Sequence, residues 1–340
     1  MVATAATAEP LRVATYNADL SRAGPGLLLG DILSDQDAQI AAVLQVITAL
    51  DADVLLLTGV DYDHDLVALS ALNQRLAAPY PDLFALRPNT GRPTGQDVDG
   101  NGRLGEPRDA QGWGRFAGEG GMAILSRLPI DQGGVVDHSD YLWRDLPGAM
   151  LPVDMPEALR EVQRLSTTGH WQIPLRTVDG STLTVLAWLA TPPVFDGPED
   201  RNGRRNHDEA AFWSLLLNDQ LPFASPQGPV VVMGDANLDP MDGEGLREGI
   251  TALLNHPRLQ DPQPKGSHGR TEPGHAGDPA FDTAFFDKGV GGLRVDVVLP
   301  SRDIAVLQSA VMWPADSDPL SQVLKTASRH RPVWVDIDLP

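Results

Sequence analysis

The chain has 340 residues, 42% of them hydrophobic, which is enough apolar material for one large core or two smaller ones. Its formal net charge of -20 opposes binding to the phosphate backbone of long nucleic acids, because such binding normally depends on Lys and Arg. The absence of cysteine excludes disulfides and thiolate metal sites, and no apolar stretch approaches the ~18 residues of a membrane span.

Residues 1–10 contain an Ala-x-Ala-like stretch but lack the charged and apolar regions of a signal peptide. We expect a flexible segment there, either the remainder of a removed export signal or a free terminus. The first alternative favours a periplasmic or secreted protein, and the second leaves a cytoplasmic one.

Strands and helices alternate at the start of the chain. Residues 11–17 and 53–58 are predicted strands, and residues 64–77 form an amphipathic helix. Apolar residues at helical spacing predict another helix between the two strands: Ile40, Val43, Leu44, Ile47 and Leu50. Residues 87–120 are rich in Gly, Pro and Asp and show no period, so they predict a long loop that is ordered for a functional reason.

The rest of the chain adds strands, fewer helices and two further polar loops. Strands are predicted at residues 120–126, 182–191 and from 230, with helices at 210–217 and 246–254. Short strands then follow one another without helices up to the C-terminus. This order favours two packed sheets with helices outside over a doubly wound parallel sheet.

Polar side chains repeatedly lie at or just after the end of an apolar strand. They are Asn17, Asp19, Asp61, Asp63, Asp235 and Asn237, with Asp296 inside a late strand and His330 at the start of the last one. A turn explains "GDAN" equally well by itself. Together, however, these oxygen-rich groups suit phosphoester hydrolysis assisted by Mg²⁺ or Mn²⁺, in which a carboxylate takes a proton from water.

Five motifs carry a resemblance to a known family: "TYNADL", "GGMAILSRLPI", "VVVMGDANLDP", "RVDVVLP" and "SRHRPVWVDI". Their order and their span over nearly the whole chain resemble the endonuclease/exonuclease/phosphatase superfamily. The resemblance implies one α/β domain over residues 11–340, a four-layer sandwich in which two mixed β-sheets pack face to face with helices on both outer sides. It also implies a divalent-metal-dependent phosphoesterase.

The resemblance further implies roles for individual residues. Asn17 and Asp19 would help to hold the metal and the phosphate, and Asn237 would contact the phosphate. Asp235 would orient or deprotonate the attacking water. In the same way, Asp296 would orient His330.

Three departures from the family pattern accompany these matches. Gly59 stands where the family has a metal-binding Glu, and Asp61 is the substitute that we expect to bind the cleft metal. Arg329 replaces an Asp before the final His, and Trp188 or Leu189 stands where a middle strand ends in His. Arg329 either binds the substrate phosphate directly or marks a catalytically weak or inactive protein that binds a phosphate ligand or another protein.

The segment "FDGPEDRNGRRNHDE" is dense in charge and has two interpretations. It is either a solvated loop that runs into a helix N-terminus or a loop that lines the cleft. In the second interpretation Arg205 and Asn206 bind a small phosphorylated substrate, alongside Arg329.

The long loop contains half of a calcium-loop pattern. Asp97, Asp99 and Asn101 occupy alternate positions before Gly102, and Asp109 follows. Alternate side-chain oxygens can wrap one hard cation, so the pattern predicts a structural Ca²⁺ site. An ion-free polar turn is the alternative. The loop's length favours calcium, because so polar a segment needs something other than a core to order it.

Overall fold

The computed structural model describes residues 10–287 and 289–340, so the predicted N-terminal segment lies almost wholly outside the described residues. The strands are β1 (Leu11–Leu20), β2 (Val54–Val60), β3 (Asp82–Phe84), β4 (Gly121–Ser126), β5 (Val136–Asp137), β6 (Gly169–Arg176), β7 (Thr182–Leu189), β8 (Val230–Asp235), β9 (Ala284–Phe286), β10 (Gly291–Leu293), β11 (Asp296–Pro300), β12 (Ala305–Val311) and β13 (Val333–Asp338). The helices are α1 (Leu27–Ser34), α2 (Ala38–Leu50), α3 (Val67–Gln74), α4 (Glu157–Arg160), α5 (Arg201–Leu217), α6 (Glu248–Leu254) and α7 (Pro319–Ala327).

Two mixed sheets form the centre of the fold. The first has the strand order β12-β13-β1-β2-β4-β3 and the second has the order β11-β8-β7-β6-β5. In the first sheet β1 is parallel to β2 and antiparallel to β13, while in the second β7 is parallel to β8. A separate pair, β9 and β10, lies beside them.

The apolar residues divide into three cores, which explains the layers. In β1, Val13 faces a core shared by both sheets, whereas Ala14 and Tyr16 face a core shared with α1, α2, α3 and α7. This alternation is the period of two that a strand buried on both faces requires. On the other side of the molecule, Trp188 and Phe212 belong to a core between the second sheet and α5 and α6. Two sheets face to face with helices on both outer sides are the predicted sandwich.

Local signals account for several helix boundaries. Asp37 caps α2 by accepting a hydrogen bond from the backbone N–H of Ile40 at 2.9 Å, and Asp318 caps α7 by accepting one from the N–H of Leu320 at 2.8 Å. The helix predicted at 210–217 begins nine residues earlier, at Arg201, so the charged segment is largely helical rather than a loop. The sequence did not predict α1, α7 or β6.

Among the described residues, no helix has the length and apolar composition needed to cross a bilayer. The long loop between β3 and β4 contains one 3-10 turn and is tied internally by isolated bridges between Thr90 and Gly112 and between Pro93 and Ala110. That residues 11–340 form a single domain stays a prediction.

Candidate functional site

The ends of β1 and β8, one from each sheet, meet at one edge of the sandwich. Asn17 Nδ2 donates a hydrogen bond of 2.9 Å to Asp235 Oδ2 across this junction. Gly234 precedes Asp235 with φ at +154°, and a Cβ there would lie 1.9 Å from the Trp188 carbonyl oxygen. Only glycine therefore lets β8 approach β7 closely enough to deliver Asp235 to this edge.

A buried histidine joins the same edge. His330 Nδ1 lies 2.9 Å from Asp296 Oδ2 and 4.0 Å from Asp235 Oδ2. Asp296 and Asp235 are themselves paired across the antiparallel strands β11 and β8. Thr283 Oγ1 donates to Asp296 Oδ2 at 2.8 Å and so fixes that carboxylate. The structure thus brings Asn17, Asp235, Asp296 and His330 together, as the strand-end pattern predicted.

Burial and charge set the protonation of this group. Burial, followed by the neighbouring Asp296 carboxylate, raises the pKa of Asp235 well above its usual range. Burial by itself lowers the pKa of His330, but the Asp296 and Asp235 carboxylates raise it more, so the net shift is upward. His330 is therefore a cation at neutral pH, and a shared proton compensates two adjacent buried carboxylates.

Asp19 lies at the mouth of the cleft and forms an ion pair with Arg329. Arg329 Nη2 donates to Asp19 Oδ1 at 3.0 Å, while Nε and the backbone N–H of Arg329 each donate to Oδ2 at 3.2 Å. Ser328 Oγ lies 3.3 Å from the same Oδ2. Burial opposes ionisation of Asp19, but the hydrogen bonds of Arg329 and the charges of His330 and Arg329 outweigh it and lower the pKa of Asp19.

The neighbouring strand end offers no second carboxylate. Gly59 has φ at +65°, and a Cβ there would lie 2.4 Å from Asn17 Oδ1. Asp61 does not take its place: its Oδ2 accepts from the Arg22 N–H at 2.8 Å and its Oδ1 from the Gly120 N–H at 3.0 Å. Burial raises the pKa of Asp61 more than the hydrogen bonds from the two backbone N–H groups lower it. Asp19 and Asp61 therefore do not fit the predicted Mg²⁺ or Mn²⁺ site.

The two amides of the cleft are engaged by the protein. Besides its bond to Asp235, Asn17 accepts the Asp19 N–H at its Oδ1 at 3.1 Å. Asn237 donates its Nδ2 to the Ala190 carbonyl at 2.9 Å, and its backbone N–H donates to Asp235 Oδ1 at 2.8 Å. Both residues hold Asp235 in place, and each uses one of its two Nδ2 N–H groups in the bonds given above. The second N–H of each amide is left for the predicted phosphate contact, which stays a prediction.

Arg205 and Asn206 are buried and donate to backbone carbonyls, which corrects their predicted role in substrate binding. Arg205 is 3% exposed, and its guanidinium donates to the backbone carbonyls of Leu165, Gln111, Arg164 and Ser166. Asn206 is 1% exposed and donates to the carbonyls of Thr191 and Ala236. Because α5 begins at Arg201, both side chains point into the protein and bind loops instead of ligand.

The middle strand lacks the histidine of the family pattern. Leu189, at the end of β7, pairs with Asp235 of β8 and packs in the core between the sheets, while Trp188 packs in the outer core. His170 on β6 is buried, and its Nε2 lies 3.0 Å from the Glu209 carbonyl oxygen. Burial lowers the pKa of His170 to about 3, so it is a neutral core residue.

Two groups of acidic side chains are close enough to share a cation. One is Asp235, Asp296 and His330, in which His330 Nδ1 is engaged with Asp296 Oδ2 while Asp296 Oδ1 is buried without a hydrogen-bond partner among the described residues. The other is Asp97, Asp99 and Asp109 in the long loop. Asn101 lies with the second group, because its Nδ2 is 3.2 Å from Asp99 Oδ2. The loop prediction therefore selected residues that do come together, and whether they bind calcium stays a prediction.

Three residues at the site were missed by sequence reasoning. Thr283 binds Asp296, and Ser328 Oγ donates to the Asn17 carbonyl at 2.7 Å. Phe286 turns its ring edge toward His330, with ring centroids 5.8 Å apart. Ser328 lies inside the quoted "SRH" motif, but Thr283 and Phe286 carry no local signal.

Comparison with known proteins supports the fold assignment. Residues 14–330 match the model of the "Endonuclease/Exonuclease/phosphatase family". No curated protein matches the sequence.

Solved structures resemble the chain over nearly all of its length. An endonuclease/exonuclease/phosphatase from Beutenbergia cavernae DSM 12333 has 17% identity and a TM-score of 0.55, covering 97% of this chain and 72% of its own. A mannosyl-6-phosphatase from Bacteroides thetaiotaomicron VPI-5482 has 14% identity and a TM-score of 0.51, covering 96% and 99%. Sphingomyelinase C from Streptomyces griseocarneus has 16% identity and a TM-score of 0.52, also covering 96% and 99%. At these identities the likeness shows the fold alone.

Proposed function

The chain belongs to the endonuclease/exonuclease/phosphatase family, and we propose that its cleft hydrolyses a phosphomonoester or phosphodiester. The observation that carries this proposal is the meeting of an Asn17–Asp235 pair from opposite sheets with an Asp296–His330 pair. A carboxyl with a raised pKa beside a protonated imidazole supplies a base and an acid for one reaction.

In the proposed reaction a water oxygen attacks phosphorus and passes its proton to Asp235. The bond from phosphorus to the leaving oxygen breaks, and that oxygen takes a proton from Nε2 of His330. Asp296 accepts the hydrogen bond of His330 Nδ1, so Nε2 is the nitrogen that can donate its proton to the substrate. Arg329 contacts the non-bridging phosphate oxygens, because the positive charge and the parallel N–H donors of its guanidinium complement them.

We propose a small phosphorylated molecule as the substrate. The net charge of -20 disfavours long nucleic acid, and the fold is shared with a protein named as a phosphatase. A periplasmic or secreted location is part of the same proposal, supported only by the Ala-rich start of the sequence. A divalent cation, Mg²⁺ or Mn²⁺, stays the expectation drawn from the family, although the Asp19 corner does not fit it.

A protein that binds phosphate ligands without efficient turnover is the second candidate. Gly59 in place of a carboxylate and the Asp19–Arg329 ion pair favour it, because both remove a ligand from the predicted cleft metal. In that case Arg329 and His330 form a cationic binding site and Asp235 does no chemistry.

Hydrolysis of p-nitrophenyl phosphate and of its bis-ester tests the proposal, with assays run both in EDTA and in Mg²⁺ or Mn²⁺. Asp235→Asn and His330→Ala should each lower kcat/KM by at least roughly 10²-fold, the usual scale for an acid–base group. His256→Ala is the matched control: this histidine is also buried, and its Nε2 lies 3.2 Å from Oδ1 of Asn218, the residue that follows α5. Equal rates for the wild type and both cleft variants, across phosphomonoesters and phosphodiesters, would leave the binding protein as the function.

A further inference from the structure

The Asp19 carboxylate is fully engaged by the residues around Arg329. Two guanidinium nitrogens, Nη2 and Nε, contact its two oxygens at 3.0 and 3.2 Å. The Arg329 backbone N–H donates to Oδ2 as well, and the Ser328 hydroxyl oxygen lies 3.3 Å from it. Asp19 itself has φ at +50°, a left-handed conformation that is strained for a residue with a side chain and is held only by well-determined surroundings. The hydrogen bonds and the backbone conformation of Asp19 therefore suit a guanidinium as its partner.

Neither of the two neighbouring positions expected to supply a second carboxylate, Gly59 and Asp61, offers one to share a cation with Asp19. A side chain at position 59 would overlap Asn17 Oδ1, and Asp61 is engaged by two backbone N–H groups. A divalent ion at Asp19 would have to displace Arg329 and would then meet a single carboxylate. Mg²⁺ at sites of this kind is normally held by one or two carboxylates together with substrate phosphates, so losing one ligand and adding a competing cation weakens the site.

Arg329 keeps donors that Asp19 does not use. A guanidinium carries five N–H donors, and only Nε and one N–H of Nη2 contact Asp19, which leaves the two on Nη1 and one on Nη2. The side chain is 61% exposed, whereas that of Asp19 is 26% exposed, so the free donors face solvent at the mouth of the cleft. Three donors in a fixed plane suit the oxygens of a phosphate.

Arg329 and His330 border the same wall of the cleft. The Arg329 guanidinium carbon lies 5.8 Å from the centroid of the Phe286 ring, and the His330 ring centroid lies 5.8 Å from it on an edge-to-face contact. One aromatic side chain thus touches both cations. Phe286 therefore packs between the exposed guanidinium and the buried imidazole and links their positions.

We propose that Arg329, held by Asp19, is the phosphate-binding cation of this cleft and replaces the divalent metal, so that the site binds phosphate without one. The inference rests on the proposed function for its location but concerns binding, which is measurable without turnover. Asp19 is a positioning residue: it fixes the guanidinium plane and does not contact the ligand.

Calorimetric titration of the full chain with inorganic phosphate in excess EDTA tests this. We expect binding in EDTA, an unchanged Kd after Mg²⁺ or Mn²⁺ is added, and a Kd weaker by at least roughly 10-fold in Arg329→Ala, the scale of a charge-assisted hydrogen-bond pair. Arg329→Lys keeps the charge without the planar guanidinium, so its Kd should lie between those of the wild type and Arg329→Ala. Arg176→Ala is the matched control, because Arg176 is also a half-exposed arginine paired with an aspartate, Asp131, far along the chain.

The outcomes separate this inference from the proposed function. Phosphate binding that requires Mg²⁺ or Mn²⁺, no binding in EDTA, or equal affinity in Arg329→Ala and the wild type would overturn the inference. Ester hydrolysis seen only with added metal would overturn it too, while leaving the phosphoesterase proposal intact. Metal-free phosphate binding through Arg329 with no hydrolysis of any ester would support the inference and refute the proposed hydrolysis.

Discussion

Asn17 and Asp235 lie 218 residues apart in the sequence and on different sheets, yet a hydrogen bond of 2.9 Å joins them. The amide of Asn17 is held at its other end by the backbone N–H of Asp19. The position of the buried carboxylate therefore depends on how the two sheets face each other. A substitution that moves Asn17 should therefore alter the position of Asp235, even though it replaces no charged residue of the cleft.

Gly59→Ala is the sharpest such change. The new Cβ would lie 2.4 Å from Asn17 Oδ1, so the amide must turn away and release Asp235. We expect kcat/KM to fall on the order of 10-fold or more, which corresponds to about 1.4 kcal/mol or more of transition-state stabilisation. Steady-state assays on p-nitrophenyl phosphate measure this.

Gly180→Ala controls for backbone strain. Gly180 also has positive φ, at +88°, but a Cβ there meets nothing within 4 Å. Both variants should lose roughly 1–2 kcal/mol of stability from the left-handed conformation, and only Gly59→Ala should lose activity. Equal activity in the two variants would mean that Asn17 does not position Asp235.

The order of helices and strands predicted two packed sheets, the family resemblance implied the four-layer sandwich, and the strand-end pattern selected residues that the structure brings together in the cleft. The reason is geometric, since strands that are buried on both faces read as apolar runs and their polar neighbours must emerge at the sheet edge. Asp235, Asp296 and His330 are of this kind. Their convergence follows from the pairing of β8 with β11 and from the short step between His330 and β13.

Side chains that bind backbone over long distances could not be predicted in the same way. The density of charge around Arg205 suggested a solvated loop or a cleft wall, but α5 begins early enough to turn Arg205 inward. Its partners are carbonyls 40 and 94 residues away, at Leu165 and Gln111. Similarly, Thr283 reaches Asp296 only because β9 lies beside the site.

Arg205→Met should therefore act on folding. Removing the guanidinium leaves several buried carbonyls without donors, at roughly 1–3 kcal/mol for each group left unsatisfied. We expect a total loss of several kcal/mol in urea unfolding, with little change in KM for any substrate. Arg204→Met on the same helix is the control: Arg204 donates through Nε to the Glu199 carbonyl on an exposed surface and should change stability by under about 0.5 kcal/mol. A raised KM with unchanged stability in Arg205→Met would restore its role in substrate binding.

The acidic side chains of the long loop predict that Ca²⁺ stabilises the fold. Ligand atoms of Asp97, Asp99 and Asp109 lie within 4.8 Å of one another, and like charges at this separation repel unless a cation or protons intervene. We expect millimolar Ca²⁺ to raise the melting temperature relative to EDTA. The shift should vanish in the double variant Asp97→Ala/Asp99→Ala and persist in Asp65→Ala, which removes an exposed carboxylate elsewhere. Equal melting temperatures in Ca²⁺ and EDTA would assign the loop to an ion-free turn.

The burial of His138 predicts how the free energy of unfolding depends on pH. It is 2% exposed, packs against Phe223 at a ring separation of 4.6 Å and against Phe212 at 5.3 Å, and neither ring nitrogen has a hydrogen-bond partner among the described residues. Burial lowers its pKa to about 4, so the fold holds it neutral. The unfolded chain protonates near pH 6.5, and stability is therefore lost as pH falls from 6.5 toward 4.

His138→Phe should remove this dependence because phenylalanine fits the same aromatic cluster and does not titrate. Between pH 7 and pH 4 we expect the variant to lose on the order of 3 kcal/mol less stability than the wild type, since each pKa unit corresponds to about 1.4 kcal/mol. Urea unfolding at the two pH values measures the difference, and comparing each protein with itself cancels any gain from packing at neutral pH. His64→Phe is the control, because the His64 side chain is 94% exposed and lies outside the buried aromatic cluster. If His138→Phe and the wild type lose the same stability between pH 7 and pH 4, another group takes up the proton on unfolding. The neighbouring buried His170 would then be the first group to test, by the same substitution.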